Sequence, residues 1–378
     1  MELSEQSAIG YLRGAGRASP EGEILVQRLS EPPSANLVLK IFDTAAGAKI
    51  GTDLRTPGQI KMGKPDTRTS QGDCFVLKQP RWREGALDLA RIAQERACME
   101  LLATLLPAGS VPECRWFDEA GGILAMSCPP PEAVLWLKQL GAGVVSIDAA
   151  TLAGMLLAMI HSSTKKDSAL RQRFGDGRIL LQERMEPMLR ATATRHPGLG
   201  KVLQDAAFRL RSPLALLHGN FRPENILLVP APAEPEPPAK GRATGGPKIA
   251  HVTLVDFQSA FFGHNALDVA TLVADLLLLG FMAAGRWRAF MMMADNFWQT
   301  YRHTADPELV RAAEVAGGRL LGAVLLGRVD GHEPVKEISE RRELQVRVRG
   351  LALEILNKSA MTFDEAIDEA AMRFDPAK

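Results

Sequence analysis

His218-Gly219-Asn220-Phe221-Arg222-Pro223-Glu224-Asn225 is preceded by the apolar run Leu214-Ala215-Leu216-Leu217 and followed by Ile226-Leu227-Leu228-Val229. The pattern predicts strand, polar loop, strand. A loop that holds His, two Asn, Arg and Glu between two buried strands suits chemistry, because strands fix where loop side chains are placed. Downstream, Val252-Thr253-Leu254-Val255-Asp256-Phe257 is an apolar strand that ends on a carboxylate.

Working outward, the 378 residues exceed one ordinary core, so two domains or one bilobed unit are expected. Hydrophobic residues make up 46% of the chain, enough for a packed interior. Lys and Arg number 45 against 44 Asp and Glu, a formal net charge of +1, and this balance argues against a general nucleic-acid binder. Cys74, Cys98, Cys114 and Cys128 are scattered with no CxxC pair. Cysteine ligation of a metal is therefore not expected, and a reducing compartment is the simplest reading. The N-terminus lacks the basic and apolar segments of a signal peptide. The longest apolar stretch, 269–284, is interrupted by Thr271 and Asp275 and falls short of the roughly 20 residues of a membrane span. The expectation is a soluble, cytoplasmic protein with neither nucleic acid nor membrane as partner.

Residues 1–22 are polar and Gly-rich, which predicts a loosely ordered N-terminus. Strands are expected at 23–29, 36–42, 74–79, 113–117 and 122–127, around one amphipathic helix within 86–106. Residues 44–73 have no periodicity and read as an inserted loop. Cys128-Pro129-Pro130-Pro131 marks a change of direction, so 23–128 is the expected N-lobe and 129–378 a mostly helical C-lobe. Residues 230–247, rich in Pro, Ala and Gly, read as a flexible insertion between two strands. The whole is an α+β organisation, strands first and helices later.

Four polar residues stand at telling places: Lys78 inside an apolar strand, Glu95 on the next helix, Asn225 after the loop, Asp256 at a strand end. Phosphoryl transfer needs these types. A lysine holds phosphate oxygens, a carboxylate orients the lysine, and amide and carboxylate oxygens suit Mg²⁺. For Lys78 and Glu95 the bland alternative is a surface ion pair of little worth. For His218 it is a structural hold on the loop backbone, which is preferred.

On these residues the chain resembles the aminoglycoside phosphotransferase and choline kinase superfamily, small-molecule kinases related in fold to protein kinases. Their loop reads His-Gly-Asp, four residues, Asn. Here His218-Gly219-Asn220 and Asn225 keep that spacing. The segment from Val255-Asp256-Phe257 to Gly263, with Asp268 beyond, leans toward methylthioribose kinases. Leu156-Leu157-Ala158-Met159-Ile160-His161 resembles the helix before the catalytic loop, and Gly327-Arg328-Val329-Asp330-Gly331 a late segment of the bacterial enzymes. The resemblance covers roughly residues 23–357. It implies a bilobed protein kinase-like fold, with a small antiparallel β-sheet and one main helix in the N-lobe. It implies ATP and Mg²⁺ as cofactors and a hydroxyl-bearing small molecule as substrate. Lys78 would hold phosphates and Glu95 would pair with it, preferred over Glu100 by spacing. Residues 124–128, with Met126 and Cys128, would face adenine. Asn225 and Asp256 would ligate the metal, and Asp268 would brace the loop.

Three departures set limits on that picture. Asn220 stands where the family has its catalytic aspartate, and an amide accepts a hydrogen bond but is no useful base. General-base assistance is typically worth about 10²–10⁴-fold, and the transfer is largely dissociative, so a slow kinase remains compatible. The turn Ser30-Glu31-Pro32-Pro33-Ser34-Ala35-Asn36 has no glycine to bring backbone N–H groups close to phosphates. Gln258 stands where methylthioribose kinases have a second acidic residue. Two functions follow: an impaired phosphotransferase, with Glu224 a substitute base in a different pose, or an inactive pseudokinase that serves as a ligand- or protein-binding module.

Overall fold

A computed structural model describes residues 2–30, 34–44, 73–83, 86–232, 248–283, 285–332, 334–358 and 361–374. Most of the insertions expected at 44–73 and 230–247, and Glu31, Pro32 and Pro33 of the glycine-free turn, lie outside the described residues. The chain forms two compact units, one of Met1–Arg96 with Glu113–Cys128 and one of Ala97–Pro112 with Pro129–Lys378.

The first unit is a five-stranded antiparallel sheet. Its strands are β1 (Glu23–Arg28), β2 (Asn36–Thr44), β3 (Asp73–Pro80), β4 (Cys114–Asp118) and β5 (Ile123–Ser127), in the order β1-β2-β3-β5-β4. Alternation decides its faces. Leu37, Leu39 and Ile41 of β2 and Phe75 and Leu77 of β3 share one buried cluster with Ile24, Ile123 and Ala125. Lys78 has the opposite parity in β3, so it leaves that cluster and points to the other face.

The N-terminus corrects an expectation. Residues 5–14 are not loosely ordered but form helix α1 (Glu5–Gly14), opened by a capping box between Ser4 and Ser7. Its Ala8 and Leu12 are fully buried in the sheet cluster. The segment is tied at both ends: Leu3 N–H donates to Gln79 Oε1 at 2.7 Å, and Tyr11 Oη–H donates to Asp118 Oδ2 at 2.7 Å. Arg17 lies 3.8 Å from the Trp116 ring centroid. Ile9 and Tyr11 pack against the same cluster, but α1 is short and its apolar residues are interleaved with small and polar ones, so its periodic signal is weak. Cys74 and Cys128 are joined in a disulfide across 54 residues of sequence, a pairing the sequence reading did not anticipate. The pairing of β3 with β5 brings them together, and linear spacing could not reveal it.

The second unit is mostly helical. Its main helices are α2 (Leu89–Leu105, which begins in the first unit), α3 (Ile147–Ser163), α4 (Glu186–Arg195), α5 (Ala266–Met282), α6 (Trp287–Thr304), α7 (Pro307–Asp330), α8 (Arg342–Asn357) and α9 (Phe363–Phe374). A π-helical segment, Arg178–Met185, runs into α4. Two small sheets carry the polar loop. Strand β6 (Ala215–Leu217) pairs with β9 (Phe261–Gly263), and β7 (Ile226–Pro230) pairs with β8 (Ile249–Leu254). The loop thus leaves one ribbon and enters the other. Leu272, Leu276 and Leu277 of α5 are fully buried. Among the described residues, no helix is long and apolar enough to cross a membrane.

Leu12→Ala should lower the unfolding free energy by about 2–5 kcal/mol, as for other fully buried leucines, seen as a lower urea midpoint. An unchanged midpoint would return 1–22 to a loosely attached tail.

Candidate active site

In the first unit, Lys78 and Glu95 form a buried ion pair. Lys78 Nζ lies 2.8 Å from Glu95 Oε1 and 2.7 Å from Oε2, with the side chains 6% and 2% exposed. The surface-pair alternative is therefore excluded. Glu100, the rival, is exposed on the same helix. Parity in β3 and helical phase in α2 together produce the pair. Met126 lies within β5, in register with Val76 and Cys114. Cys128 follows β5, its thiol consumed by the disulfide, so only its backbone is left to meet a ligand.

In the second unit, Asp268 fixes the loop. Its Oδ2 accepts the His218 N–H at 2.7 Å and its Oδ1 the Gly219 N–H at 3.0 Å, and the carboxylate is fully buried. Gly219 has φ +75°, and a Cβ there would meet the Ser259 carbonyl oxygen at 2.0 Å, so the position admits glycine alone. Both ring nitrogens of His218 are engaged with backbone groups. Its Nδ1 accepts the Asn220 N–H at 3.3 Å, which leaves Nε2 to donate to the Val255 carbonyl at 3.1 Å. That tautomer is neutral, and burial pushes the ring's pKa below its ordinary 6.5.

The remaining residues converge on Asn220. Asn225 Nδ2 donates to the Asn220 carbonyl at 2.9 Å, and the Asn225 carbonyl accepts the Val255 N–H at 3.0 Å. Asp256 sits in the left-handed region at φ 70°, ψ 61°, where a non-glycine residue is strained and tends to mark function. Its Oδ2 receives Asn220 Nδ2 at 3.3 Å and Gln258 Nε2 at 3.5 Å. Asn220 Oδ1 accepts from Arg184 at 2.7 Å. An arginine can only donate and a carboxylate only accept, so the amide orientation is fixed by its neighbours. Asn220 is a bridge between cation and anion. An aspartate there would set a second carboxylate against Asp256. Glu224, the substitute base, is ion-paired to Arg222 at 2.7 Å.

Sequence reasoning missed several members. Arg184 lies in the π-helical segment, a feature often found at functional sites, but its side chain gave no linear signal. His161 stands 3.4 Å from Asp268 Oδ2 and 2.9 Å from Tyr301 Oη through its two ring nitrogens. Its only hint was the likeness of 156–161 to the helix before the loop. Asp275 joins Arg222, at 2.5 Å, to Arg328, at 3.4 Å. Among the described residues there is no cluster of three or more His, Cys, Asp or Glu able to hold a metal. Asn225 and Asp256 instead offer one amide and one carboxylate oxygen donor. This fits a hard cation such as Mg²⁺, which keeps water and phosphate as its other ligands.

Among solved structures, the chain is similar to an ethanolamine kinase from Plasmodium vivax, at 12% identity and a TM-score of 0.48 over 98% of this chain and 88% of that one. It is also similar to a choline/ethanolamine kinase family protein from Mesorhizobium loti, at 15% identity and a TM-score of 0.46 over 96% and 99%. A third is an amicoumacin kinase in complex with AMP-PNP and Ca²⁺, at 14% identity and a TM-score of 0.49 over 96% and 97%. No protein-family model and no curated protein matches the chain.

Asp268→Ala would orphan two buried N–H groups and should cost about 2–6 kcal/mol at roughly 1–3 each, measured by urea unfolding. Acid should destabilise the second unit. Burial, with Arg209 and His161 adding, pushes His264 from 6.5 to about 4, and burial moves His218 the same way. The unfolded chain therefore binds protons first. Stability should be whole above about pH 6.5 and decline toward pH 4, by about 3 kcal/mol for His264 alone. In His264→Gln the decline between pH 7 and 4.5 should be shallower; an equal decline would show that His264 is not its source.

Proposed function

We propose that this protein is an ATP- and Mg²⁺-dependent phosphotransferase acting on a hydroxyl of a small molecule, slowed by Asn220. The observation that carries this reading is the hydrogen-bonded set in which Asp268 holds the loop and Asn225 and Asp256 are both tied to Asn220. Lys78, oriented by Glu95, would hold nucleotide phosphates, and backbone groups near Met126 and Cys128 would meet the adenine. Asn225 and Asp256 would hold Mg²⁺. The metal and nucleotide supply charge neutralisation and the transferred phosphoryl group.

The chain's own residues then have limited tasks. His218 stays neutral and keeps the loop against Val255. Asn220 positions rather than deprotonates, because its oxygen accepts from Arg184 and its nitrogen donates to Asp256. The acceptor's proton leaves late, to solvent or to a transferred phosphate oxygen, as a dissociative transfer permits. Arg184 places positive charge beside the reacting centre, where it favours negative charge that develops there.

The same observation supports a second reading. With both ends of Asn220 engaged and Glu224 paired to Arg222, neither supplies a base in the described state. A pseudokinase that binds nucleotide or partner without turnover fits that arrangement.

Thermal shift and phosphate-release assays separate the two. Mg²⁺ with ATP should raise the wild-type Tm, since a ligand bound only to the native state stabilises it, and Asp256→Ala should remove the shift. Slow turnover should appear with a panel of hydroxyl acceptors and rise in Asn220→Asp, within the roughly 10²–10⁴-fold that a general base contributes. A shift without turnover in either protein would select the pseudokinase, and no shift at all would defeat both nucleotide readings. Independently, Asn220→Asp adds negative charge beside Asp256, so Mg²⁺ alone should stabilise that variant more than the wild type.

A further inference from the structure

A cavity of about 110 Å³ opens beside Asn220, lined among others by Arg184, Gly219, Thr271, Arg328 and His332. That is several times the roughly 10–15 Å³ one water needs. It lies at the Arg184 end of the Asn220 amide, while the other end faces Asp256. It is thus set apart from the carboxylate proposed to hold the metal.

Two guanidiniums on this cavity lack a close carboxylate of their own. Arg184, mostly buried, spends its side-chain hydrogen bonds on two neutral oxygens, Asn220 Oδ1 at 2.7 Å and Ser259 Oγ at 3.3 Å. Arg328 has one carboxylate, Asp275 at 3.4 Å, which it shares with the closer Arg222, and its Nε is buried with no hydrogen-bond partner. Glu183, also on the wall, is ion-paired to Arg178 at 2.7 Å. Asp256, the other carboxylate that acts on Arg184, lies across the Asn220 amide rather than in contact with the guanidinium. Burial and then the neighbouring arginines lower the pKa of Arg184, and burial does the same to Arg328. A buried guanidinium whose donors are not met by a close anion is costly. Here a cavity adjoins both side chains, and their planar donors match a carboxylate or phosphate.

We infer that this cavity is an anion subsite, so that the molecule bound beside Asn220 carries a carboxylate or phosphate group held by Arg184 and Arg328. As a statement about the acceptor this rests on the phosphotransferase reading; as a statement about binding it stands without it. A cationic acceptor, an amine or an amino sugar, would meet repulsion here.

Isothermal titration of the full-length protein tests it, with inorganic phosphate and D-glycerate as anionic probes and ethanolamine as the cationic one. Both anions should bind and ethanolamine should not. Arg328→Met should weaken the anions about 10–100-fold, the range of one charge-assisted hydrogen bond. Arg328→Lys, which keeps the charge if the methionine variant misfolds, should retain part of the affinity. D-Glycerate binding should persist with AMP-PNP and Mg²⁺ present, because a nucleotide-phosphate site would be displaced. Failure of both anions to bind, preference for ethanolamine, insensitivity to Arg328→Met in a folded variant, or displacement by AMP-PNP would each overturn the subsite. Turnover confined to cationic acceptors would defeat this inference and leave the phosphotransferase standing. Anion binding without any turnover would do the reverse.

Discussion

Two backbone N–H groups on one buried carboxylate hold the candidate site together. Asp268 enters from the first turn of α5, and its oxygens take the N–H groups of His218 and Gly219. Buried N–H groups must find partners, so the carboxylate sets the direction in which the chain leaves β6. Gly219 then turns through positive φ under the Ser259 carbonyl, and everything after it follows. The His218 ring reaches Val255, the Asn225 amide reaches back to Asn220, and Asp256 is held in a strained conformation beside them. His161 and Tyr301 support the brace from behind.

The electrostatics around Asn220 give the loop its particular character. An amide placed between a guanidinium and a carboxylate satisfies both neighbours at once, with acceptor toward Arg184 and donor toward Asp256. A carboxylate could satisfy only the first. The amide is therefore consistent with its surroundings. The same neutrality leaves Arg184 hydrogen-bonded to neutral oxygens only, on the wall of the adjacent cavity. The identity of one side chain thus couples the weakness of a base to the polarity of a pocket.

Much of the frame could be read from residues. The apolar runs at 36–42 and 74–79 placed two strands, with Lys78 inside the second. The resemblance preferred Glu95 over Glu100, and Glu95 is the residue in the buried pair. The loop pattern marked Asn220, Asn225, Asp256 and Asp268, and hydrogen bonds link each of them to that loop. The misses share a cause. α1 is short, with apolar residues interleaved among small and polar ones, Cys74 and Cys128 meet only through strand pairing, and Arg184, Arg222 and Arg328 come from three separate segments.

The sequence by itself determined the order of strands and helices, the spacing of the loop and the amide at position 220. These depend on local periodicity and residue type, which a linear pattern records. Only the tertiary structure decided which charges face each other: that Arg184 meets Asn220, that Asp275 is shared by two arginines, and that a cavity remains beside them. Coulomb and hydrogen-bond energies depend on distances and burial across elements far apart in the chain, and folding alone sets those.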